Sequence, residues 1–250
     1  MEPYEYQTLF EFENNYWWYR HLHAVITDSL LRLGADQHSR IMDAGCGTGK
    51  NIHNIREKIT KQVFGFDFSK FASPYWGKRE ITNNTIASIN QIPFESEQFD
   101  FVICADVLES EGVDETVAIA ELIRLVKIEG YVLLIVPAYD WLMTAEHHQA
   151  VHAIRRYTAK RVHDLFQNNP QVNIVKSSYF FTTLFPLIAL YRLWLRIAPV
   201  SPEKVPHSEL TKLPDWINSI LNAMNLPERL LLRAANFPYG SSIFVIAKKI

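Results

Sequence analysis

The sequence of 250 residues contains only two cysteines, Cys46 and Cys104, and no excess of charge of either sign. The cysteines are not spaced as a disulfide framework or a zinc site, which favours a reducing compartment, and we expect no metal. Lysine and arginine total 25 against 27 aspartates and glutamates, for a formal net charge of −2. The chain therefore has no overall attraction for nucleic acid, and we expect no nucleic-acid partner.

Long hydrophobic runs are also missing. The first 13 residues are acidic and aromatic, without the basic and then apolar segments of a secretory signal, so we expect a cytoplasmic protein. Residues 177–191 carry no charge, but 15 residues interrupted by Pro186 are too few for a membrane span of about 20. The segment 180–197, with Arg192 and Arg196, could instead contact the inner membrane face peripherally, cover an apolar acceptor or form a dimer face. It could equally be a buried helix pair at the sheet edge.

The sequence does contain ample material for one large core, since 48% of its residues are hydrophobic and 13% aromatic. Apolar runs of strand length alternate with segments of helical period, which predicts an α/β fold with a parallel sheet and helices on both faces. Strands are predicted over residues 40–44, 63–67, 85–88, 99–106, 131–138, 171–181 and 241–249, and helices over 16–33 and 50–60, from Asp114 to Gly130, and after Thr158. Residues 182–240 then form a helical insertion within a single domain, 1–250.

The segment IMDAGCGTG (41–49) is the most informative stretch. It ends a predicted strand and places glycines at positions 45, 47 and 49. Glycine permits a tight turn and a close approach of backbone N–H groups to a ligand beside the N-terminus of the next helix. A dinucleotide fingerprint would need a glycine where Lys50 stands, which disfavours a nicotinamide enzyme. A Walker A loop, G-x-x-x-x-G-K-[ST], would need a glycine where Ala44 stands and a serine or threonine where Asn51 stands, so it does not match.

The remaining match, [DE]-x-G-x-G-x-G starting at Asp43, resembles the motif of class I S-adenosylmethionine-dependent methyltransferases, of the methyltransferase type 11-like bacterial subgroup. The resemblance covers about residues 14–165 and the last strand. It implies a Rossmann-like, mostly parallel seven-stranded sheet whose last strand is antiparallel. It also implies S-adenosyl-L-methionine as the cofactor and S-adenosyl-L-homocysteine as the product.

Asp67 ends the second predicted strand, where a carboxylate can accept both ribose hydroxyls. The segment IASINQIPFESEQFDFVICADVLE (86–109) resembles the family's adenine-binding and fourth-strand segments. It departs from them at Ser88, where the family often has an acidic residue, and at Ser110, where it often has histidine. The predicted cofactor site comprises Asp43, Gly45, Cys46, Gly47, Gly49, Asp67, Phe68, Ser88, Ile89 and Ala105.

Histidines and arginines cluster after the fifth predicted strand, at the ligand side of a parallel sheet. The cluster resembles an H-D-x-x-x-x-H-x-R-R-Y-T stretch of bacterial methyltransferases linked with surface-sugar or lipid-linked glycan pathways. Arginine could bind an acceptor phosphate or carboxylate, and histidine could serve as general base for a hydroxyl. A solvated charged loop and a zinc site are the alternatives. The catalytic candidates are His147 and His152, and the predicted substrate-binding residues are Trp18, His148, Arg155, Arg156 and Tyr157.

The tryptophan pair Trp17 and Trp18 precedes the first strand. The resemblance implies an N-terminal helical lid over residues 1–34, although the pair could simply dock its helix on the core. The core then comprises residues 35–181 and 241–250.

These observations together predict S-adenosylmethionine-dependent methyl transfer to an unidentified acceptor, such as a hydroxyl of a sugar, a lipid-linked glycan or another small molecule. The alternative, motivated by Ser88 and Ser110, is a non-catalytic S-adenosylmethionine-binding or regulatory protein. The oligomeric state is left open.

Overall fold

The computed structural model describes residues 1–167, 169–197, 208, 210 and 212–250. Among these residues, two helices precede the first strand, and two more are described between the last two strands. The strands are β1 Ile41–Ala44, β2 Val63–Asp67, β3 Asn84–Ile86, β4 Phe99–Ala105, β5 Val126–Pro137, β6 Val172–Phe180 and β7 Ser242–Lys249. The helices are α1 Pro3–Phe12, α2 Trp17–Arg32, α3 Lys50–Lys58, α4 Ser73–Lys78, α5 Glu115–Leu125, α6 Ala145–Val151, α7 Ala159–Gln167, α8 Phe185–Ile197 and α9 Asp215–Leu231, with a short 3₁₀ turn at Asp140–Leu142.

The seven strands form one sheet in the order β3-β2-β1-β4-β5-β7-β6. Strands β1 to β5 are parallel to one another, whereas β7 runs antiparallel to both β5 and β6. The predicted fold class, including the antiparallel last strand, is confirmed. The strand order reverses between β1 and β4, and in such sheets ligands bind outside the carboxyl ends of the strands at this point.

Both faces of the sheet are buried, as near-continuous apolar strands require. Met42 and Val102 belong to the buried cluster on one face, and the adjacent Ile41 and Ile103 to the cluster on the other. This two-sided core holds β1 and β4 rigidly, so that the loops after them are presented from a fixed base.

The helix predicted from Asp114 to Gly130 ends earlier than expected. Asp114 does cap it, accepting the backbone N–H groups of Thr116 and Val117 at 3.0 and 3.1 Å. The helix ends at Leu125, however, and Val126 already belongs to β5. Gly130 lies within that strand, where a Cβ atom would come within 2.7 Å of the backbone oxygen of Asp100. This glycine therefore permits close strand contact and does not end a helix.

Other boundaries shift by a few residues. Helices α4 and α6 have no counterpart among the predicted elements, and α1 lies in the predicted lid region without having been predicted as a separate helix. The third strand is shorter than predicted and ends at Ile86. Within 182–240, α8 and α9 are the described helices, and residues 198–207 lie outside the described part of the chain.

Candidate functional site

The glycine turn joins β1 to α3 at the point where the strand order reverses. Gly45 and Gly49 have φ angles of +78° and +85°, in the left-handed region that side chains disfavour. A Cβ on Gly45 would lie 2.3 Å from Val107 Cγ2, and one on Gly49 would lie 2.6 Å from Ile81 Cδ1. These two positions require glycine both for conformation and for space, which explains the spacing of the motif.

Asp67, at the end of β2, faces this turn. Its Oδ2 accepts the backbone N–H of Gly47 at 2.9 Å. Its Oδ1 accepts the Ser69 N–H at 2.9 Å and the Tyr6 hydroxyl at 3.0 Å. Burial raises the pKa of Asp67, and these hydrogen bonds oppose that shift. The carboxylate is therefore positioned beside the turn and is also engaged by the N-terminal helix α1.

A large cavity, of about 920 Å³, opens at the carboxyl ends of β1, β2 and β4. Such a volume is typical of sites for small molecules and cofactors. Eight of the ten predicted cofactor residues line it, all except Asp43 and Gly49. The eight are Gly45, Cys46, Gly47, Asp67, Phe68, Ser88, Ile89 and Ala105.

Asp43 is buried at the end of β1 and is not part of the cavity lining. Burial raises its pKa to about 7, with a further contribution from the nearby Asp67, while a hydrogen bond with Asn51 lowers it. Asn51 does line the cavity. Asp43 therefore lies beneath the glycine turn and is linked to the cavity through its hydrogen bond with Asn51.

The structure divides the predicted acceptor residues into two groups. Trp18, His147, His152 and Arg156 line the same cavity as the glycine turn. Trp18 stacks on Phe181, with ring centroids 3.7 Å apart. Glycine turn, Asp67 and part of the histidine–arginine cluster thus share one enclosed space.

The other three predicted acceptor residues are not brought to the cavity. His148 Nδ1 lies 2.7 Å from the backbone oxygen of Ala153, and Arg155 forms an ion pair with Glu115 at 3.0 Å. Tyr157 is almost fully buried in the core cluster. Their contacts are structural ones, and a substrate-binding role for them stays a prediction.

The two candidate histidines have different surroundings. Burial lowers the pKa of His147 well below its ordinary value, and the nearby Arg192 and Arg156 lower it further. His147 is therefore neutral near pH 7 and can accept a proton. His152 is partly exposed, and its Nε2 lies 3.0 Å from Glu2 Oε1 in the N-terminal segment.

Two carboxyl groups that the sequence interpretation did not assign to the site also line the cavity: Asp106 and Glu109, which follow β4. Burial raises the pKa of Asp106 to about 6, against the opposing effect of Arg156. Burial and the neighbouring Asp106 raise the pKa of Glu109 well above its ordinary value. Their position after β4, beside the reversal of strand order, was the signal that could have identified them.

Tyr6 was missed for another reason, because α1 was not predicted and the hydrogen bond to Asp67 joins residues 61 positions apart. In the described part of the chain, no three histidine, cysteine or acidic side chains are grouped so that they could hold a metal ion. Among the described residues, no helix is both long and apolar enough to span a bilayer.

Comparison with known proteins agrees with this geometry. Residues 42–134 match the family model described as a methyltransferase domain. This segment contains the glycine turn, Asp67, all of β1 except Ile41, and the strands β2 to β4. No curated protein sequence matches the chain.

Solved structures with the same fold cover most of the chain at low identity. Geranyl diphosphate C-methyltransferase from Streptomyces coelicolor, solved with Mg²⁺, geranyl diphosphate and S-adenosyl-L-homocysteine, is 14% identical, with a TM-score of 0.59 over 91% of this chain and 78% of that one. A SAM-dependent methyltransferase from Aquifex aeolicus is 15% identical, with a TM-score of 0.53 over 72% and 93%. The [4+2]-cyclase SpnF is 16% identical, with a TM-score of 0.57 over 90% and 79%.

The cyclase illustrates that this fold accommodates more than one reaction, so the solved structures support the architecture and not a particular acceptor. The matched segment, the glycine turn and the sheet order agree with the class I S-adenosylmethionine-dependent methyltransferase family that the sequence resembles. Over residues 42–134, just over a third of its length, the chain is similar to a methyltransferase domain.

Proposed function

We propose that the chain transfers the methyl group of S-adenosylmethionine to a hydroxyl of a sugar, a lipid-linked glycan or another small acceptor. The observation that carries this proposal is the shared cavity. It is lined at one side by the glycine turn and Asp67, and at another by His147, Arg156 and Asp106. Donor and acceptor held in one enclosed space react as an effectively unimolecular pair, which is the main contribution expected of such an enzyme.

The residues around the glycine turn fit the donor. Backbone at Gly45 and Gly47 can approach the amino acid portion closely, because neither position carries a Cβ. Asp67 is oriented by the Gly47 and Ser69 N–H groups, and a ribose hydroxyl would take the position on its Oδ1 that the Tyr6 hydroxyl now occupies. When bound, S-adenosylmethionine supplies an electrophilic methyl group on a cationic sulfonium.

The acceptor side offers groups suited to a hydroxyl nucleophile. His147 is a neutral imidazole at this side and is the proposed proton acceptor, and the burial and the two neighbouring arginines that keep it unprotonated also weaken it as a base. Asp106, with a pKa of about 6, is mostly ionised at neutral pH and is a second proton acceptor in the same cavity. Arg156 provides a guanidinium for a phosphate or carboxylate of the acceptor. Residues 1–34 act as the lid over this space.

The first experiment is calorimetric titration of the purified chain with S-adenosylmethionine and with S-adenosylhomocysteine. We expect micromolar binding of both and a loss of about tenfold or more in the Asp67→Asn variant, which removes a charged hydrogen-bond acceptor. Asp164→Asn, on the exposed face of α7, is the matched control and should bind normally. A folded chain that binds neither compound would exclude the proposal.

Turnover is then tested with methyl-labelled donor and cell extract separated into aqueous and lipid fractions. We expect label in an ether linkage, with a rate that falls by about 10²–10⁴ in His147→Gln while donor affinity is retained. Donor binding without transfer to any fraction would favour a non-catalytic binding protein instead.

A further inference from the structure

Asp106 lies between the donor side and the acceptor side of the cavity. The sheet order places β2 and β1, which carry Asp67 and the glycine turn, on one side of β4. It places β5, which leads to His147 and Arg156, on the other side. Asp106 is the first residue after β4 and lines the same cavity. In the proposed reaction the methyl group therefore moves across the position of this carboxyl group.

The backbone fixes Asp106 next to the glycine turn. The carboxyl ends of β1 and β4 are paired with each other, so the turn and Asp106 start from adjacent strand ends. Val107 packs directly on the turn, because a Cβ atom on Gly45 would lie only 2.3 Å from its Cγ2 atom. Asp106 itself has a φ angle of +53°, and its N–H donates to Ile135 O at 3.0 Å. Such a conformation is retained where the surrounding structure imposes it, often at a ligand site.

The carboxylate of Asp106 is open to the cavity and carries a charge. Asp106 is an exposed residue that lines the cavity wall, and within the described part of the chain no hydrogen bond to its carboxylate is formed. Its pKa of about 6, raised by burial and opposed by Arg156, leaves it mostly ionised at pH 7. The neighbouring Glu109 is 6% exposed, and burial and Asp106 raise its pKa well above the ordinary value. Of this carboxyl pair, Asp106 therefore holds the negative charge.

An aromatic ring lies close to the same charge. Tyr19 of α2 lines the cavity, and its pKa is raised by burial and then by the charge of Asp106. A carboxylate attracts a cation by charge, and an aromatic ring attracts one by the negative face of its π-system. This part of the cavity is therefore suited to a cation.

The proposed donor places a cation here. With its ribose at Asp67 and its amino acid portion at the glycine turn, its sulfur joins these two parts and directs the methyl group toward the acceptor side, where β4 ends. The sulfur of S-adenosylmethionine is a cationic sulfonium, whereas the sulfur of S-adenosylhomocysteine is neutral. A charge at the end of β4 consequently distinguishes the two compounds.

We propose that Asp106 faces the sulfonium of bound S-adenosylmethionine and makes the site select the cationic donor over the neutral product. The attraction ends when the methyl group leaves the sulfur, which favours exchange of product for new donor. This inference rests on the proposed function in that S-adenosylmethionine is the ligand, and it does not depend on the acceptor.

The test is calorimetric titration of the wild type and of Asp106→Asn with S-adenosylmethionine and with S-adenosylhomocysteine. We expect the variant to bind S-adenosylmethionine about tenfold more weakly and S-adenosylhomocysteine within about twofold of the wild type, because only the first compound loses a charge–charge attraction. Glu111→Gln is the matched control. It removes a carboxylate from the same loop, but this side chain is 71% exposed and screened by water, so the ratio of the two affinities should not change.

Sinefungin provides a second measurement that needs no variant. It carries an ammonium group in place of the methyl sulfonium, so we expect it to bind the wild type about tenfold more tightly than S-adenosylhomocysteine does. Asp106→Asn should lose most of this preference.

Equal weakening of both ligands in Asp106→Asn overturns the proposal, because a contact with the amino acid portion, which both compounds share, then explains the loss. Equal binding of sinefungin and S-adenosylhomocysteine to the wild type overturns it as well. A folded wild-type chain that binds none of the three compounds refutes the proposed function together with this inference. Binding of all three with an unchanged ratio in the variant refutes only the role of Asp106.

Discussion

Asp43 shows how burial sets the protonation of a carboxyl beneath the glycine turn. An aspartate in an unfolded chain titrates near 3.8, whereas burial raises the pKa of Asp43 to about 7 in the fold. The folded chain therefore holds this proton more tightly than the unfolded chain. The contribution to stability is fully present below about pH 4 and is lost as the pH rises through 7.

The Asp43→Asn variant should remove this pH dependence. Between about pH 4 and pH 8 we expect the free energy of unfolding of the wild type to fall by about 3 kcal/mol relative to that of the variant. Urea denaturation at the two pH values measures the difference. Burial lowers the pKa of His23 to about 4, which affects stability with the opposite sign in both proteins. Parallel pH profiles of wild type and variant would contradict the assignment.

At the scale of elements, α1 links distant parts of the site. Tyr6 donates to Asp67, and Glu13, just after α1, contacts Thr48 of the glycine turn and Arg79. At the other end, Glu2 is paired with His152 at 3.0 Å, beside α6. The N-terminal segment therefore spans the cavity from the donor side to the acceptor side, as a lid would.

The Tyr6→Phe variant tests whether α1 competes with the donor. Removing the hydroxyl frees one acceptor position on Asp67 Oδ1, which still accepts the Ser69 N–H, so we expect S-adenosylmethionine to bind about fivefold more tightly. Tyr4→Phe, on the same helix but outside the cavity lining, should bind as the wild type does. Weaker binding by Tyr6→Phe in calorimetry would mean that the hydroxyl takes part in holding the donor.

At the scale of the whole molecule, donor binding should stabilise the fold, because the glycine turn, Asp67 and the cavity exist together only in the folded chain. S-adenosylmethionine at about 100 times its dissociation constant should add about 2.7 kcal/mol. For a chain of this size we expect a rise in Tm of about 5–10 °C. Differential scanning fluorimetry measures it, and Asp67→Asn at the same concentration should show a much smaller rise. An unchanged wild-type Tm would count against the donor site.

Much of the fold could be predicted because its signals are local. Apolar runs such as FDFVICAD predicted β4, the glycines at 45, 47 and 49 predicted the turn, and Asp114 predicted a helix start. The predicted end of that helix was wrong. Gly130 lies in β5, close to the backbone oxygen of Asp100 in the neighbouring strand β4. A contact of that kind leaves no local pattern.

The sequence by itself determined the order of the strands, the glycine turn and the resemblance to the methyltransferase family, since all of these depend on residue types at short, fixed spacings. Tertiary structure alone decided which residues share the cavity. The neighbours Arg155 and Arg156 are separated, one paired with Glu115 outside the lining and the other facing the cavity. Asp106 and Glu109 join His147 there. These outcomes depend on packing between segments far apart in the chain, where burial and hydrogen bonding over long sequence distances outweigh local preference.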